Sequence, residues 1–314
     1  MRRLFSVLSL LVVVAMLLMA CGKTAQEKEI TVSSKNFTEQ YLLGWMTVLA
    51  LQDAGFTVNN KVDLGGTSVN REALESGEVD LYWEYTGTAW MVHLGHEEAI
   101  TDPQECYDKV KAEDAANGLV WLEMAPFNDT YTLMMTKEAG AQYGVQKLSD
   151  LPAYLEQNPD AILCSDEEWT VRPDGYPALQ EKYGFAFKEE NVRTMEIGVT
   201  YKALRDGECD LAMGFATDGR IAAWGLFNLE DDKQFFPVYN PAPVVRKDVL
   251  DKYPEIADIL SPIAKALDTD TMTYLNSLVD VGEDQELDTG DEQDPKDVAC
   301  NFLLENNLIK SCGD

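Results

Sequence analysis

The pattern A-L-x-x-G-E-x-D-L occurs twice in this chain, 130 residues apart. The matched pairs are Ala73/Ala203, Leu74/Leu204, Gly77/Gly207, Glu78/Glu208, Asp80/Asp210 and Leu81/Leu211. Each copy reads as the end of a short helix, a turn at glycine and then a strand. At the same offset Tyr85 matches Phe215, so each unit closes on an aromatic residue. One such unit is commonplace. Six matches at a single offset point to a duplicated lobe, with a cleft between two similar halves. Ligands of α/β sheets sit beyond the carboxyl ends of strands, where Tyr85 and Phe215 fall.

The chain around each copy supports a parallel sheet. Glu29–Ser34 alternates as a strand, and Asn36 with Glu39 three residues later has the form of a helix start. The helix runs to about Asp53 and stops at Gly55. A strand over Phe56–Leu64, a turn at Gly65-Gly66, a helix around Arg71–Glu75 and a strand over Val79–Trp83 complete β-α-β-α-β. Ala89–Asn117 reads as helical and Leu119–Met124 as a short strand. A second lobe opens with the strand Thr132–Thr136 and a helix capped by Ser149. The strand Ile162–Ser165 enters the polar loop Asp166–Gly175, followed by a helix at Pro177–Tyr183, a strand at Val192–Ile197 and the second repeat copy. Phe235–Val245 is an extended, proline-broken return. Helices at 248–252, 254–267, 270–280 and 295–308 follow, with an acidic loop at Glu283–Asp294.

The expected architecture is an α/β two-lobe fold. Each lobe is a mostly parallel sheet flanked by helices, and two hinge strands near 130–136 and 237–245 join them. The expected segments are a signal peptide at 1–20, a lipid-anchored tether at 21–29, the first part of lobe 1 at 30–130, lobe 2 at 131–238, and the hinge return with completion of lobe 1 at 239–314.

Arg2 and Arg3 precede the apolar run Leu4–Ala20, which reads as a secretory signal. Cys21 directly after Ala20 resembles a bacterial lipobox and implies lipidation of its sulfur, with an uncleaved membrane anchor as the alternative. The expected location is therefore the outer face of a bacterial cytoplasmic membrane. No other run is apolar and long enough to span a bilayer. The formal charge is −30, and it falls to −32 without Arg2 and Arg3, which argues against nucleic acid or anionic lipid surfaces as partners. Five cysteines remain besides Cys21: Cys106, Cys164, Cys209, Cys300 and Cys312. Export permits disulfides, an odd number leaves one unpaired, and Cys300 with Cys312 flanks one helix. The two histidines, His93 and His96, lie three apart without further ligands, so no metal and no cofactor is expected. Trp45, Trp90 and Trp224 sit in apolar helical patterns and read as core.

The strings SSKNFTEQYLLG, LGGTSVNREALESGEVDLYWEYTGT, FNDTY, FATDGRI and LEDDKQFFPVYNPAPVVR resemble the substrate-binding lipoproteins of osmoprotectant ABC importers, which bind glycine betaine, carnitine and choline. The resemblance covers essentially the whole chain after the signal segment. It implies a small quaternary-ammonium solute, a permease driven by a separate ATPase, and a monomer without catalytic activity. It also implies an aromatic cage, because a trimethylammonium offers no N–H donor and ring faces attract it instead. By match to E-Y-T-G-T, N-D-T-Y and F-P-x-Y the cage residues are Tyr85, Tyr131 and Tyr239. The fourth wall, usually tyrosine, is Phe215 here. Lys35 and Thr88 match positions that hold a ligand carboxylate, and Arg172 matches an arginine doing the same from the second lobe. Asp129 occupies an acidic slot near the cage, where it either assists the cation or orients a neighbour. These matches favour glycine betaine, proline betaine or carnitine. Choline is the alternative, followed by an amino acid or another small cation. An exported enzyme would need polar catalytic groups converging on the cleft, and a receptor would need a membrane-spanning signalling segment.

Overall fold

The computed structural model describes residues 28–282 and 290–312. The signal segment and Cys21 lie outside the described residues, as do residues 283–289 of the acidic loop. Among the described residues ten strands form two five-stranded sheets of matching design. The first contains β1 (Lys28–Ser33), β2 (Phe56–Lys61), β3 (Leu81–Tyr85), β4 (Leu119–Trp121) and β10 (Pro241–Arg246), in the order β2-β1-β3-β10-β4. The second contains β5 (Tyr131–Thr136), β6 (Leu163–Ser165), β7 (Val192–Thr194), β8 (Leu211–Phe215) and β9 (Leu226–Asn228), in the order β7-β6-β8-β5-β9. In each sheet the fourth strand runs antiparallel to both neighbours, while the first three are mutually parallel. That fourth strand is the crossing strand, β10 in the first sheet and β5 in the second. The α/β two-lobe fold with mostly parallel sheets is thus present, with one antiparallel strand in each lobe.

The repeat has a structural reason at every position but one. Helices α1 (Thr38–Asp53) and α2 (Thr67–Ser76) belong to the first lobe, α3 (Ile197–Arg205) to the second. Gly77 after α2 and Gly207 at the end of α3 turn with φ of 81° and 74°, a region that favours glycine. The amides of Glu78 and Glu208 then donate to the carbonyls of Ala73 and Ala203 at 2.8 and 2.9 Å. Asp80 Oδ2 accepts from the Thr31 amide at 2.8 Å, and Asp210 Oδ2 from the Ile162 amide at 2.8 Å. In each lobe the aspartate therefore ties the incoming strand to its neighbour. The glutamates do not match: Glu78 pairs with Lys61 at 2.7 Å, whereas Glu208 receives Arg193 only through its carbonyl.

Helix α1 is buried along almost its whole length, including Leu42, Leu43, Met46, Leu49 and Leu51. It lies between the first sheet and the C-terminal helices α4 (Glu255–Ala266), α5 (Thr269–Asp280) and α6 (Pro295–Glu305). Packing against both explains its apolar run Met46–Leu51, broken only by Thr47. Cys300 and Cys312 form a disulfide beside α6, and a second joins Cys164 of β6 to Cys209 before β8. Each contributes about 3–4 kcal/mol by restricting the unfolded chain. Cys106 is buried and unpaired, and burial pushes its thiol up to about 11.

Several local expectations differ from what is observed. Phe37, not Asn36, is the residue before α1, and no side chain caps it. Ser149 is not a cap: its amide donates to Asp232 at 3.2 Å, and Asp150 receives the amides of Gln146 and Lys147. A helix at Lys137–Tyr143, capped by Thr136, follows β5 where the sequence reading assigned no element. Residues 89–93 form one wide π-turn and residues 94–102 contain no helix before Pro103–Asp114. Trp90 is buried, while Trp45 and Trp224 only partly cover their cores. His93 and His96 face Glu84 and Glu113, each at 2.9 Å, and no metal-ligating cluster occurs among the described residues.

Candidate functional site

The duplicated topology places the aromatic residues in two pairs. Tyr85 ends β3 and Phe215 ends β8. Tyr131 begins β5 and faces Phe215 in the ladder. Pro241 begins β10 and faces Tyr85, which sets Tyr239 two residues ahead of that pair. Beyond both pairs the backbone repeats itself: Thr86 donates to Asn240 at 3.0 Å and Ala216 to Thr130 at 2.9 Å. The ring centroids make one continuous arc. Tyr85 to Phe37 is 6.2 Å, Phe37 to Phe215 is 4.9 Å, Phe215 to Tyr131 is 5.4 Å, and Tyr131 to Tyr239 is 5.2 Å. Phe37 is a fifth ring that the sequence reading passed over. It stands two residues after Lys35 in K-N-F-T-E-Q, in the loop that leaves β1 toward the cleft.

The glycine of E-Y-T-G-T has a steric role. A Cβ on Gly87 would lie 2.6 Å from the Val238 carbonyl oxygen and 2.9 Å from the Tyr239 ring. Its absence lets Tyr239 close against the loop after β3. The Tyr239 hydroxyl donates to Asp174 at 2.7 Å and the Tyr85 hydroxyl to Glu39 at 2.7 Å. Both rings are thereby fixed at their far ends.

A cleft of about 760 Å³ opens on this arc. Its walls include Tyr85, Tyr131, Phe215, Tyr239, Lys35, Thr88 and Asp129, seven of the eight residues expected at a ligand site. Arg172 is not among them. Its guanidinium is buried and holds Asp174 through Nε and Nη2 at 2.8 and 2.7 Å, and Glu168 through Nη1 at 2.8 Å. Acids two and four residues along the chain have taken up its fork, so the expected carboxylate clamp is not formed by a free arginine. Nη2 also reaches the Thr88 hydroxyl at 3.4 Å, and the guanidinium carbon lies 5.2 Å from the Tyr131 ring centre.

Lys35 does line the cleft, and its ammonium is held as well. Nζ lies 2.5 Å from Glu84 Oε1 and 5.1 Å from the centre of the Tyr85 ring. Glu84 receives three further donors: the Tyr85 amide at 2.7 Å, the Tyr82 hydroxyl at 2.7 Å, and His93 Nε2 at 2.9 Å. Burial alone would raise its pKa. The Lys35 charge and the His93 contact outweigh burial and hold this carboxyl well below the usual range.

Asp129 turns away from both cations. It accepts from the Thr217 amide at 3.3 Å and contacts the Thr217 hydroxyl at 2.7 Å. The same hydroxyl lies 2.7 Å from Glu39 Oε2. Glu39 was expected to serve a helix start; instead it is buried between the lobes. Burial raises the carboxyls of Asp129 and Glu39 above their ordinary values, and for Asp129 the nearby Glu39 charge adds to that. Asp63, Asp166, Glu167, Glu168 and Glu196 also line the cleft. Burial pushes Asp166 up to about 6, with Glu168 beside it.

A cleft between two lobes, lined by consecutive rings and ringed by carboxylates, suits a small cationic or zwitterionic solute with an apolar head. Comparison with known proteins agrees. Residues 28–303 match the family described as the substrate-binding domain of ABC-type glycine betaine transport systems. The glycine-betaine-binding protein of Pseudomonas aeruginosa is 38% identical over 291 residues, which span 91% of this chain and 90% of that protein. Glycine betaine-binding protein YehZ of Escherichia coli is 35% identical over 288 residues, 90% of this chain and 92% of that one. A crystal structure described as a glycine betaine/carnitine/choline ABC transporter aligns with a TM-score of 0.68 at 28% identity, over 90% of this chain and all of its own. The chain belongs to the family of substrate-binding domains of ABC-type glycine betaine transport systems.

Proposed function

We propose that this chain captures a quaternary-ammonium zwitterion (glycine betaine, proline betaine or carnitine) and delivers it to an ABC permease with a separate ATPase. The observation that carries the reading is the arc of five rings, Tyr85, Phe37, Phe215, Tyr131 and Tyr239, spaced 4.9–6.2 Å apart on one cleft. A cation held within about 6 Å of a ring centre gains ~0.5–2 kcal/mol per face, more as it is desolvated. The ligand carboxylate is assigned to Lys35 and Thr88. Lys35 spends one of three N–H donors on Glu84, which leaves donors for a second carboxylate. Arg172 then acts by holding Glu168 and Thr88 in place. Asp129 is placed at the base of the cleft as a partner of Thr217 and Glu39. The protein works as a monomeric binder on the extracytoplasmic side, tethered through a lipid on Cys21, and it closes by rotation about the crossings near 130–136 and 237–245.

A second reading is a solute without a carboxylate, such as choline. The observation in its favour is that Lys35 and Arg172 each already hold a carboxylate on a cleft whose lining is acidic. Calorimetric titration of the chain from residue 22 onward with glycine betaine, proline betaine, carnitine and choline separates the two. Saturable heat from a betaine and none from choline supports the zwitterion. In that case Lys35→Ala weakens betaine binding far more than any residual choline binding. Choline binding alone, or equal losses in Lys35→Ala, would move the assignment to the second reading.

A further inference from the structure

We propose that the closed cleft holds one bound proton between Glu39 and Asp129, and that solute capture takes this proton up from water. The proposal rests on the reading of the chain as a binder that closes on its solute. Glu39 stands in α1 of the first lobe, Asp129 on the crossing that leads into β5, and Thr217 just after β8 in the second lobe. The Thr217 hydroxyl oxygen lies 2.7 Å from Glu39 Oε2 and 2.7 Å from Asp129 Oδ1.

A hydroxyl has one proton to donate. It satisfies one of these two contacts. The other brings a hydroxyl lone pair against a carboxylate oxygen at hydrogen-bond distance, which is repulsive unless the carboxyl carries a proton of its own. Both residues are buried, at 2% and 4% exposure, where two adjacent unshared negative charges are costly.

Every group around the pair points the same way. Glu39 also accepts from the Tyr85 hydroxyl at 2.7 Å and from Asn276 of α5 at 3.3 Å. Asp129 accepts, besides the hydroxyl contact, from the Thr217 amide at the longer distance of 3.3 Å. Glu39 is thus the better stabilised anion, and the proton belongs on Asp129. Asp218 follows Thr217, and Asp280 of α5 faces the same seam. The cation there is Arg220, which lies 2.5 Å from Asp218, 3.4 Å from Asp280, and 4.4 Å above the ring of Tyr201 in α3. It is spent on those two acids. Burial raises both members of the pair, in keeping with this count. In an open cleft both carboxyls meet water and titrate near the ordinary value of about 4, so closure at neutral pH takes up about one proton.

The test is calorimetric titration of the protein with glycine betaine, or with whichever of the four solutes binds, in buffers of different ionisation enthalpy at about pH 7. The expected result is uptake of about one proton and a Kd that rises up to about tenfold per pH unit above neutrality. Zero uptake, or release, overturns the proposal. In Glu39→Gln an amide N–H replaces the shared proton, so uptake vanishes and affinity becomes flat with pH. Full uptake in that variant would place the proton elsewhere. Infrared spectroscopy gives an independent readout: the solute-bound wild-type protein shows a protonated-carboxyl C=O contribution at neutral pH that Asp129→Asn removes. Absence of the band overturns the proposal. If no solute gives heat, the solute reading has failed and uptake on capture falls with it; heat without uptake sinks the proton alone.

Discussion

The two lobes share a sheet but not a rim. Val32 of β1 pairs with Leu81, and Leu163 of β6 pairs with Leu211, the leucines matched by the repeat. Counting forward from those pairs, Lys35, Asn36 and Phe37 of the first lobe occupy the places of Asp166, Glu167 and Glu168 in the second. One lobe offers a cation and a ring to the lining of the cleft, the other three carboxylates. At the strand ends Tyr85 answers Phe215, Gly87 answers Thr217 and Thr88 answers Asp218. The positions that remain alike, Gly77/Gly207 and Asp80/Asp210, build the turn and join the strands. Duplicated scaffold positions have kept their residues where they hold the sheet, and the site has arisen where the copies differ.

The largest break in that comparison comes from the rings. Tyr85→Ala and Tyr239→Ala should each weaken solute binding by about 2 kcal/mol, the range of a desolvated cation–π contact. Phe215→Ala should cost less, because no hydroxyl anchors that ring as Glu39 anchors Tyr85. Unchanged titrations in both tyrosine variants would dismiss the cage. Next comes the contrast between Gly87 and Thr217. Gly87→Ala forces a methyl against Tyr239 and the Val238 carbonyl and should destabilise the protein by about 1–2 kcal/mol through overpacking, visible in denaturant unfolding. An unaltered midpoint and unaltered binding would mean that the close approach at Gly87 is not required. The smallest effect tests the shared scaffold. Asp80→Ala and Asp210→Ala each remove the side-chain acceptor of a strand amide, Asp80→Ala also the partly exposed pair with Arg246 at 3.3 Å, and each should lose about 1 kcal/mol of stability with solute affinity retained. A large difference between the two variants would show that the repeat has unequal roles in the two lobes.

Much of this was legible in the sequence because it is written locally. Glycine turns, alternating strands and the repeat are signals within about ten residues, and they foretold every strand of the two sheets but β9. The arc of rings was legible only through family strings, since Tyr131 and Tyr239 look like any strand-end aromatics. What escaped notice depends on register. Lys35 and Glu84 are 49 residues apart and meet because β1 and β3 are neighbours. Glu39 meets Thr217 across 178 residues, and its place in α1 made it look like a helix-start signal. Arg172 is the opposite case. Its partners Glu168 and Asp174 lie within four residues, but only the folded loop turns all three toward one another.

The crossing strands also set an order of assembly. β5 to β9 lie within residues 131–228, so the second sheet is a single continuous stretch of chain. The first sheet has a gap between β3 and β4 that β10 fills, and α1 is covered only when the helices between residues 255 and 305 arrive. Contacts between distant parts of a chain form slowly, because closing long loops costs entropy before the contacts reward it. The second lobe is therefore the natural nucleus. Until β10 docks, the edges of β3 and β4 that it joins stay unpaired, and an unpaired strand edge is a template that any other strand can join.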